Sequence, residues 1–249
     1  MTILNDIVKN TKAKLVEKKA AVSLDEIKLQ LSRLDLPKGK FKASLTGKAE
    51  AIIAEIKKAS PSAGIISENF DPIQKAQEYQ AFGASALSIL TEEDFFLGSN
   101  QYLKNVKAIT SLPILRKDFM VDEYQIYEAK LIGADCILLI ASILSDIEIT
   151  DFVALAEVLE LDYLIEVHDA EELQRVEHFN NALIGVNNRN LKTFEVDINN
   201  SVNLRNFFSG DNIFIAESGI KNKEDMNYLK EKGISAFLIG ESLMRGSFN

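Results

Sequence analysis

The stretch AIIAEIKKASPSAG places Glu55 and Lys57 two residues apart at the end of an apolar run. Side chains two apart share a strand face, so Ile53, Glu55 and Lys57 lie on one face and Ile52, Ala54 and Ile56 on the other. A carboxylate and an ammonium on a face that otherwise buries isoleucine can exchange a proton. Other apolar runs end the same way: Lys117 and Asp118 after PILR, Glu166 in LIEV, Asn187 and Arg189 after LIGV, and Glu217 and Ser218 after IFIA. Taken singly, each is a strand-end charge reaching water. Removing a charge from water costs several kcal/mol unless it is paired, so their recurrence points to a convergent acid–base site.

A second chemistry is written in two glycine-bearing turns, Ser218-Gly219-Ile220 and Gly240-Glu241-Ser242, each following an apolar run. Backbone amides freed in such turns, with a helix N-terminus close by, bind phosphate. The ordinary reading of both is a turn that needs glycine for its geometry.

The elements that must carry these groups repeat one pattern. Eight short runs rich in Ile, Val and Leu occur at 51–56, 86–90, 112–117, 136–140, 163–167, 182–187, 213–217 and 236–240. Between them lie stretches with helical periodicity, such as DPIQKAQEYQAFGA and KNKEDMNYLKEKGI, several of which stop at a glycine: Gly83, Gly133 and Gly233. Near-continuous apolar strands alternating with helices require a parallel sheet covered on both faces. Eight units predict an α/β fold, a (β/α)8 TIM barrel, whose reactive groups belong at the C-terminal strand ends and where phosphate sits after strands seven and eight. An open doubly wound sheet would carry GxGxxG after its first strand, and SPSAG is not that fingerprint.

Residues 1–48 stand apart as an N-terminal helical extension packed on the barrel of residues 49–249. Ile3–Ala20 and Ser23–Leu34 have helical periodicity, and Ser23 with Glu26 forms a capping box. This segment holds 11 Lys and Arg against 5 Asp and Glu, whereas the remainder holds 17 against 32. A nucleic-acid binder would carry its basic footprint on the folded domain, so that class is excluded. No run of apolar residues reaches membrane-spanning length and MTILNDIVKN lacks a secretory core, so a cytoplasmic chain is expected.

The single cysteine, Cys136, sits inside CILLI and reads as a buried, inert thiol; no intramolecular disulfide can form. With only His168 and His178, a histidine-rich metal site is not expected. His168 follows a strand and reads as a solvated rim residue with a ligand contact as the alternative, and His178 as a surface helix residue.

AEIKKASPSAG, ILTEEDFFLGS, PILRKDF, LIEVHD, GVNNRNL, IAESGI and LIGESLM, in that order over residues 41–245, resemble the indole-3-glycerol phosphate synthase family. The resemblance implies conversion of 1-(2-carboxyphenylamino)-1-deoxyribulose 5-phosphate to indole-3-glycerol phosphate, releasing carbon dioxide and water, with no cofactor and no metal. It implies a small anionic substrate carrying a carboxylate and a phosphate, and a monomer whose candidate partner is another tryptophan-pathway enzyme. In this reading Lys117 resembles the family's general acid, Glu166 its electrostatic partner and proton acceptor, and Lys57 with Glu55 the pair for dehydration. The division of acid–base roles among Glu55, Lys57 and Glu166 stays open. Asn187 and Glu217 correspond to residues that orient substrate hydroxyls. Ser60 and Arg189 resemble the groups near the anthranilate carboxylate, to which arginine offers a planar fork. Ser218, Gly219, Gly240 and Glu241 form the phosphate turns, and Phe96, Phe119, Leu138 and Leu191 wall the aromatic ring.

Three features depart from the family pattern. Ala63 replaces the lysine common in SPSKG, Asn190 stands where aspartate is common, and the chain stops at LMRGSFN, short of the final helix. Two alternatives remain: a Schiff-base aldolase using a strand lysine on a sugar phosphate, and a catalytically silent barrel acting as a binding module. Phosphoribosylanthranilate isomerase, a neighbouring barrel using a Cys and Asp pair, is set aside because Cys136 lies too deep in its strand.

Overall fold

The structure is a computed structural model and describes residues 3–190 and 193–249. Eight parallel strands close into a barrel: β1 (Ala51–Ile56), β2 (Ala86–Leu90), β3 (Ile114–Lys117), β4 (Cys136–Ile140), β5 (Asp162–Val167), β6 (Leu183–Asn187), β7 (Phe214–Glu217) and β8 (Ala236–Ile239). β8 returns to β1, with Ala51 opposite Ala236 and Ile53 opposite Leu238. The eight strands fall where the apolar runs predict them, with ends moved by one or two residues. The third begins at Ile114 rather than Leu112, because Pro113 has no amide to donate to the ladder.

Helices follow the strands in turn: α4 (Pro72–Phe82), α5 (Asn100–Lys107), α6 (Glu123–Leu131), α7 (Asp146–Val158), α8 (Ala170–Val176), α9 (Asn199–Phe207), α10 (Lys223–Glu231) and the four-residue α11 (Glu241–Met244), which occupies the eighth helical position. Gly83, Gly133 and Gly233 stop their helices with φ of 93°, 91° and 83°, a left-handed conformation that costs glycine nothing.

Alternation divides the strand side chains into two cores. Ile52, Ala54, Ile56, Leu87, Ile89, Ile114, Ile137 and Ile165 face the helices. Ile53, Leu115, Cys136, Leu138, Leu164, Leu183, Ile215 and Leu238 fill the barrel interior. The N-terminal end of that interior is closed by α3 (Phe41–Leu45), whose Phe41 is fully buried among the interior residues. The backbone amide of Lys42 donates to Asp162 Oδ2 at the start of β5 (2.8 Å), which fixes the plug. Truncating a plug of this size to alanine costs about 3–5 kcal/mol.

Two further helices precede the plug, α1 (Ile3–Ala21) and α2 (Leu24–Leu31). The capping box of α2 forms as its sequence predicts, with Ser23 and Glu26 each taking the other's backbone amide. Ile27 of α2 packs with Leu15 of α1 against Tyr124 of α6. Ion pairs then fasten α1 to the C-terminal end of the barrel: Lys14 reaches Glu93 at 2.9 Å and Asp94 at 2.7 Å, and Lys19 reaches Asp122 at 2.7 Å. The first turns of α1 consequently lie over the barrel mouth.

Candidate active site

Above the apolar interior layers, the last inward position of β1, β3, β5, β6 and β7 is polar. Lys117 ends β3, and its Nζ donates to Glu166 Oε2 of β5 at 2.8 Å and to Glu217 Oε2 of β7 at 2.7 Å. Asn187 of β6 donates to Glu166 Oε1 at 3.0 Å. The register sets Asn187 directly beside Glu217, and Gly185 makes room for the latter: a Cβ at 185 would run into Glu217 Oε1. On the far side, Lys57 donates to Glu55 Oε1, the pair that the period-two pattern of β1 predicts.

These groups are nearly removed from water, and the charges decide how each titrates. Burial works against the Lys117 ammonium, but Glu166, Glu217 and Glu55 outweigh it and raise its pKa. Burial likewise works against the Glu166 carboxylate, yet Lys117 first and His168 second hold it well below the usual glutamate range. For Glu217 burial prevails, with Glu166 and Glu55 adding repulsion, and its pKa is pushed up to about 7. Two carboxylates sharing one ammonium thus titrate apart, one early and one late.

The glycine turns adjoin this cluster. Ser218 and Gly219 follow β7 with φ of 66° and 83°. A Cβ at 219 would strike Val196 Cγ1 and lie 3.2 Å from Ile198 Cγ2, so both conformation and space require glycine. Gly240 has an ordinary φ of −114°, and its reason is different: a Cβ there would meet Glu55 Oε1 and come within 3.2 Å of Lys57 Nζ. The second turn is therefore built against the Glu55–Lys57 pair. Glu241 opens α11, and its carboxylate accepts from Arg245 Nε at 3.0 Å.

A cavity of about 690 Å³ joins all of these. Lining it are Glu55, Lys57, Ser60, Phe96, Lys117, Phe119, Leu138, Glu166, Asn187, Arg189, Glu217, Ser218, Gly219, Gly240 and Glu241. Leu191 lies outside the described residues. Phe96 and Phe119 form one wall with ring centroids 5.9 Å apart, and Leu138 forms part of the apolar floor. Phe96 is placed by Glu92, whose buried carboxylate accepts the amides of Asp94, Phe95 and Phe96 at 3.1, 2.7 and 3.0 Å. Ser60 belongs to a two-stranded ribbon, Ala59–Ser60 against Gly64–Ile65, and its hydroxyl accepts from Ala63 N at 3.2 Å. The Arg189 guanidinium donates to Phe194 O at 3.3 Å.

The lining also contains residues that sequence reasoning missed. Ile3, Leu4 and Ile7 of α1 roof the cavity, and Lys221 and Arg245 add cations near the two turns. The apolar stripe at 3, 4 and 7 is visible in the sequence, but nothing local says which surface it covers. Cys136 is fully buried in the interior, with its thiol pKa raised by burial, as its place in CILLI predicts. His178 is exposed in the turn after α8 rather than within a helix. His168 is a correction: the ring is not a solvated rim group but lies behind Glu166, outside the cavity lining, with Nδ1 3.1 Å from Glu172 Oε2.

A closed (β/α)8 barrel with a buried acid–base cluster and glycine turns at its C-terminal mouth defines an enzyme of the TIM-barrel class. Comparison with known proteins narrows this. The profile of the family Indole-3-glycerol phosphate synthase matches residues 4–248. The chain is 49% identical over 243 residues to the indole-3-glycerol phosphate synthase of Clostridium acetobutylicum, covering 98% of this chain and 92% of that one. It is 49% identical over 246 residues to the enzyme of the same name from Ruminiclostridium cellulolyticum, covering 98% and 94%. The chain belongs to the indole-3-glycerol phosphate synthase family. Solved structures share the fold at low identity: the tryptophan synthase A-subunit of Pyrococcus furiosus (TM-score 0.59, 15% identity, 79% of this chain and 89% of that one) and an N-acetylmannosamine-6-phosphate 2-epimerase of Clostridium perfringens (TM-score 0.58, 14%, 79% and 88%). Among the described residues no helix is long and apolar enough to cross a membrane.

Proposed function

We propose that this site closes the indole ring of 1-(2-carboxyphenylamino)-1-deoxyribulose 5-phosphate, yielding indole-3-glycerol phosphate, carbon dioxide and water in tryptophan biosynthesis. The observation that carries the reading is the Lys117 ammonium held between Glu166 and Glu217 where the apolar floor meets the cavity. In the first step the ring carbon bearing the carboxylate attacks the substrate ketone, and the carbonyl electron pair takes the proton of Lys117 as the alcohol forms. Loss of carbon dioxide leaves its bonding electrons in the ring and restores aromaticity. Dehydration follows: the new hydroxyl leaves as water with a proton from Lys57, and the carbon next to nitrogen gives up a proton, so that the indole double bond forms. Glu55, paired with Lys57, and Glu166 are the acceptors for the released protons.

Asn187 and Glu217 orient the hydroxyls of the sugar-derived chain. Phe96, Phe119 and Leu138 pack the anthranilate ring, and Ser60 and Arg189 take its carboxylate. The amides of the Ser218-Gly219 and Gly240-Glu241 turns take the phosphate, with Lys221 and Arg245 raising the local positive potential. The placement of Gly240 against Glu55 and Lys57 supports one substrate spanning both the phosphate turn and the dehydrating pair.

A lysine whose proton is held by two carboxylates is suited to giving that proton to a developing alkoxide, which is more basic still. It is poorly suited to attacking a carbonyl as a free amine, which disfavours the aldolase reading. Purified protein mixed with the substrate is expected to release the fluorescent indole product, and borohydride quenching is expected to leave its mass unchanged. Folded protein that forms no product, or a reduced adduct on the Lys117 peptide, would overturn the assignment. We further take the chain as a cytosolic monomer, which sedimentation tests for its oligomeric part.

A further inference from the structure

His168 stands two residues beyond Glu166, just past the end of β5 and outside the cavity, and nothing in the reaction above uses it. Its Nδ1 lies 3.1 Å from Glu172 Oε2 of α8, and the same carboxylate oxygen accepts the His168 backbone amide at 2.8 Å. Its Nε2 is buried, has no aligned hydrogen bond, and lies 3.4 Å from Glu166 Oε1. A neutral imidazole has one N–H and one lone pair. If its N–H faced Glu172, its lone pair would face the Glu166 carboxylate, and the reverse tautomer would turn the lone pair on Glu172. Only the doubly protonated ring meets both carboxylates with a donor. Around it stand Glu166 from β5, Glu172 from α8 and Glu217 from β7, with the Lys117 ammonium on the far side of Glu166. Asn200 of α9 donates to the His168 carbonyl at 3.0 Å and holds this end of β5 in place.

We propose that His168 is a positioning residue: an imidazolium clamped between Glu172 and Glu166 that acts as the second cation on Glu166, holding it ionised and aligned for Lys117. The inference rests on the role given to Glu166 above. Glu166 Oε2 carries the Lys117 ammonium, while Oε1 carries Asn187 Nδ2 and faces the imidazolium. The raised pKa of His168, for which Glu172 and then Glu166 outweigh the effect of burial, agrees with this geometry. The charge need not touch substrate to matter: an opposite charge within about 4–6 Å lowers a carboxyl pKa by about 1–3 units. Removing it raises the titration of the Glu166–Glu217 pair as a unit.

The test pairs NMR with kinetics. With only two histidines in the chain, a His178→Gln background leaves the ring nitrogens of His168 as the sole imidazole signals. At pH 7 both nitrogens are expected to show imidazolium shifts, and Glu172→Gln is expected to lower the midpoint of that titration by at least about one pH unit. In His168→Gln the acid limb of kcat is expected to move up by about 0.5 to 1 pH unit, kcat at pH 6.5 to fall several-fold, and KM to stay within about twofold. A neutral ring at pH 7, or an acid limb that does not move in folded His168→Gln, overturns the proposal. The NMR arm needs only the native histidine, so it stands if His168→Gln fails to fold. Failure of the Glu166 role is seen separately: Glu166→Gln would then keep full kcat, while His168 in the protein that retains Glu166 still titrated as a clamped imidazolium.

Discussion

Arg116 and Lys117 are adjacent in β3, and each is a cation held by two carboxylates, yet one is closed in and the other opens on the cavity. Arg116 points outward toward α6 and is fully buried. Its Nη2 donates to Asp118 Oδ2 at 3.0 Å and Glu128 Oε2 at 2.6 Å, its Nη1 to Gln125 O at 2.9 Å, and its Nε to Thr91 Oγ1 at 3.1 Å. Thr91 in turn donates to Asp118 Oδ2 at 2.6 Å, and the arginine does not line the cavity. Lys117 points inward, lines the cavity, and faces Glu217, whose Oε1 is buried without a partner. The outer cluster is a closed set of bonds around a cation that does not deprotonate. The inner one is an open set around a proton that can be transferred. Under the proposed function, one strand carries a structural ion cluster and a reactive one on its two faces, separated only by the alternation of side chains.

The largest effect that would break this comparison is on chemistry. Lys117→Met keeps the apolar stem and removes the proton donor, so kcat is expected to fall at least about 100-fold, with KM changed far less. Steady-state fluorescence assays check this, and full activity in the folded variant would reduce Lys117 to a second structural cation. The matching change on the outer face, Arg116→Met, leaves buried Asp118 without a cation and Glu128 with only Lys18, 3.5 Å away. It is expected to cost about 3–5 kcal/mol, a fall in Tm on the order of 10 °C, while kcat below the transition stays within about tenfold of the parent. Calorimetry with an assay at low temperature separates the two outcomes, and a large loss of kcat with unchanged Tm would reverse the assignment of the two clusters.

Gly240→Ala tests whether the phosphate turn and the Glu55–Lys57 pair share space. The added Cβ displaces the Glu55 carboxylate. Both kcat and phosphate affinity are therefore expected to drop by about tenfold, with far-ultraviolet circular dichroism retained. Loss of affinity alone, with kcat intact, would uncouple the turn from the pair.

The smallest effect is a pH dependence of stability. A carboxylate raised from 4.5 to about 7 binds its proton more tightly in the folded state, so Glu217 removes stability as pH climbs from about 4.5 to 7. Glu166, lowered by Lys117, has the opposite sign: its contribution is present above 4.5 and lost as pH falls below that value. Glu217→Gln deletes the first contribution. The Tm difference, variant minus parent, is expected to be more positive at pH 8 than at pH 5 by about 2–4 °C, the equivalent of one kcal/mol in a chain this size. A difference that does not vary with pH would place Glu217 outside the coupled pair.

The inner cluster was more legible in the sequence than the outer one. Period-two alternation fixes which side of a strand Glu55, Lys57, Lys117, Glu166 and Glu217 occupy, and strand closure then brings them to one end. Nothing comparable marks Arg116: its partners Thr91, Gln125 and Glu128 sit on other elements, and Gln125 and Glu128 read alone as helix-surface polarity. Gly185 was equally silent, because its reason is the Glu217 carboxylate on the neighbouring strand β7. Gly240 was found for backbone amides, whereas its contact with Glu55 needed the β1–β8 closure to be seen. The roof formed by Ile3, Leu4 and Ile7 depends on long-range ion pairs through Lys14 and Lys19, which no local pattern encodes.

In the proposed reaction Lys117, unlike its neighbour, holds a proton kept in place by Glu166 and Glu217 until substrate arrives. Nitrogen-15 NMR of the Lys117 side chain, assigned by its loss in Lys117→Met, measures this directly. A charged ammonium signal is expected to persist past pH 10.5, the value of a free lysine, because the two glutamates outweigh the effect of burial. A Lys117 amine that titrates below pH 8 in the folded enzyme would contradict it.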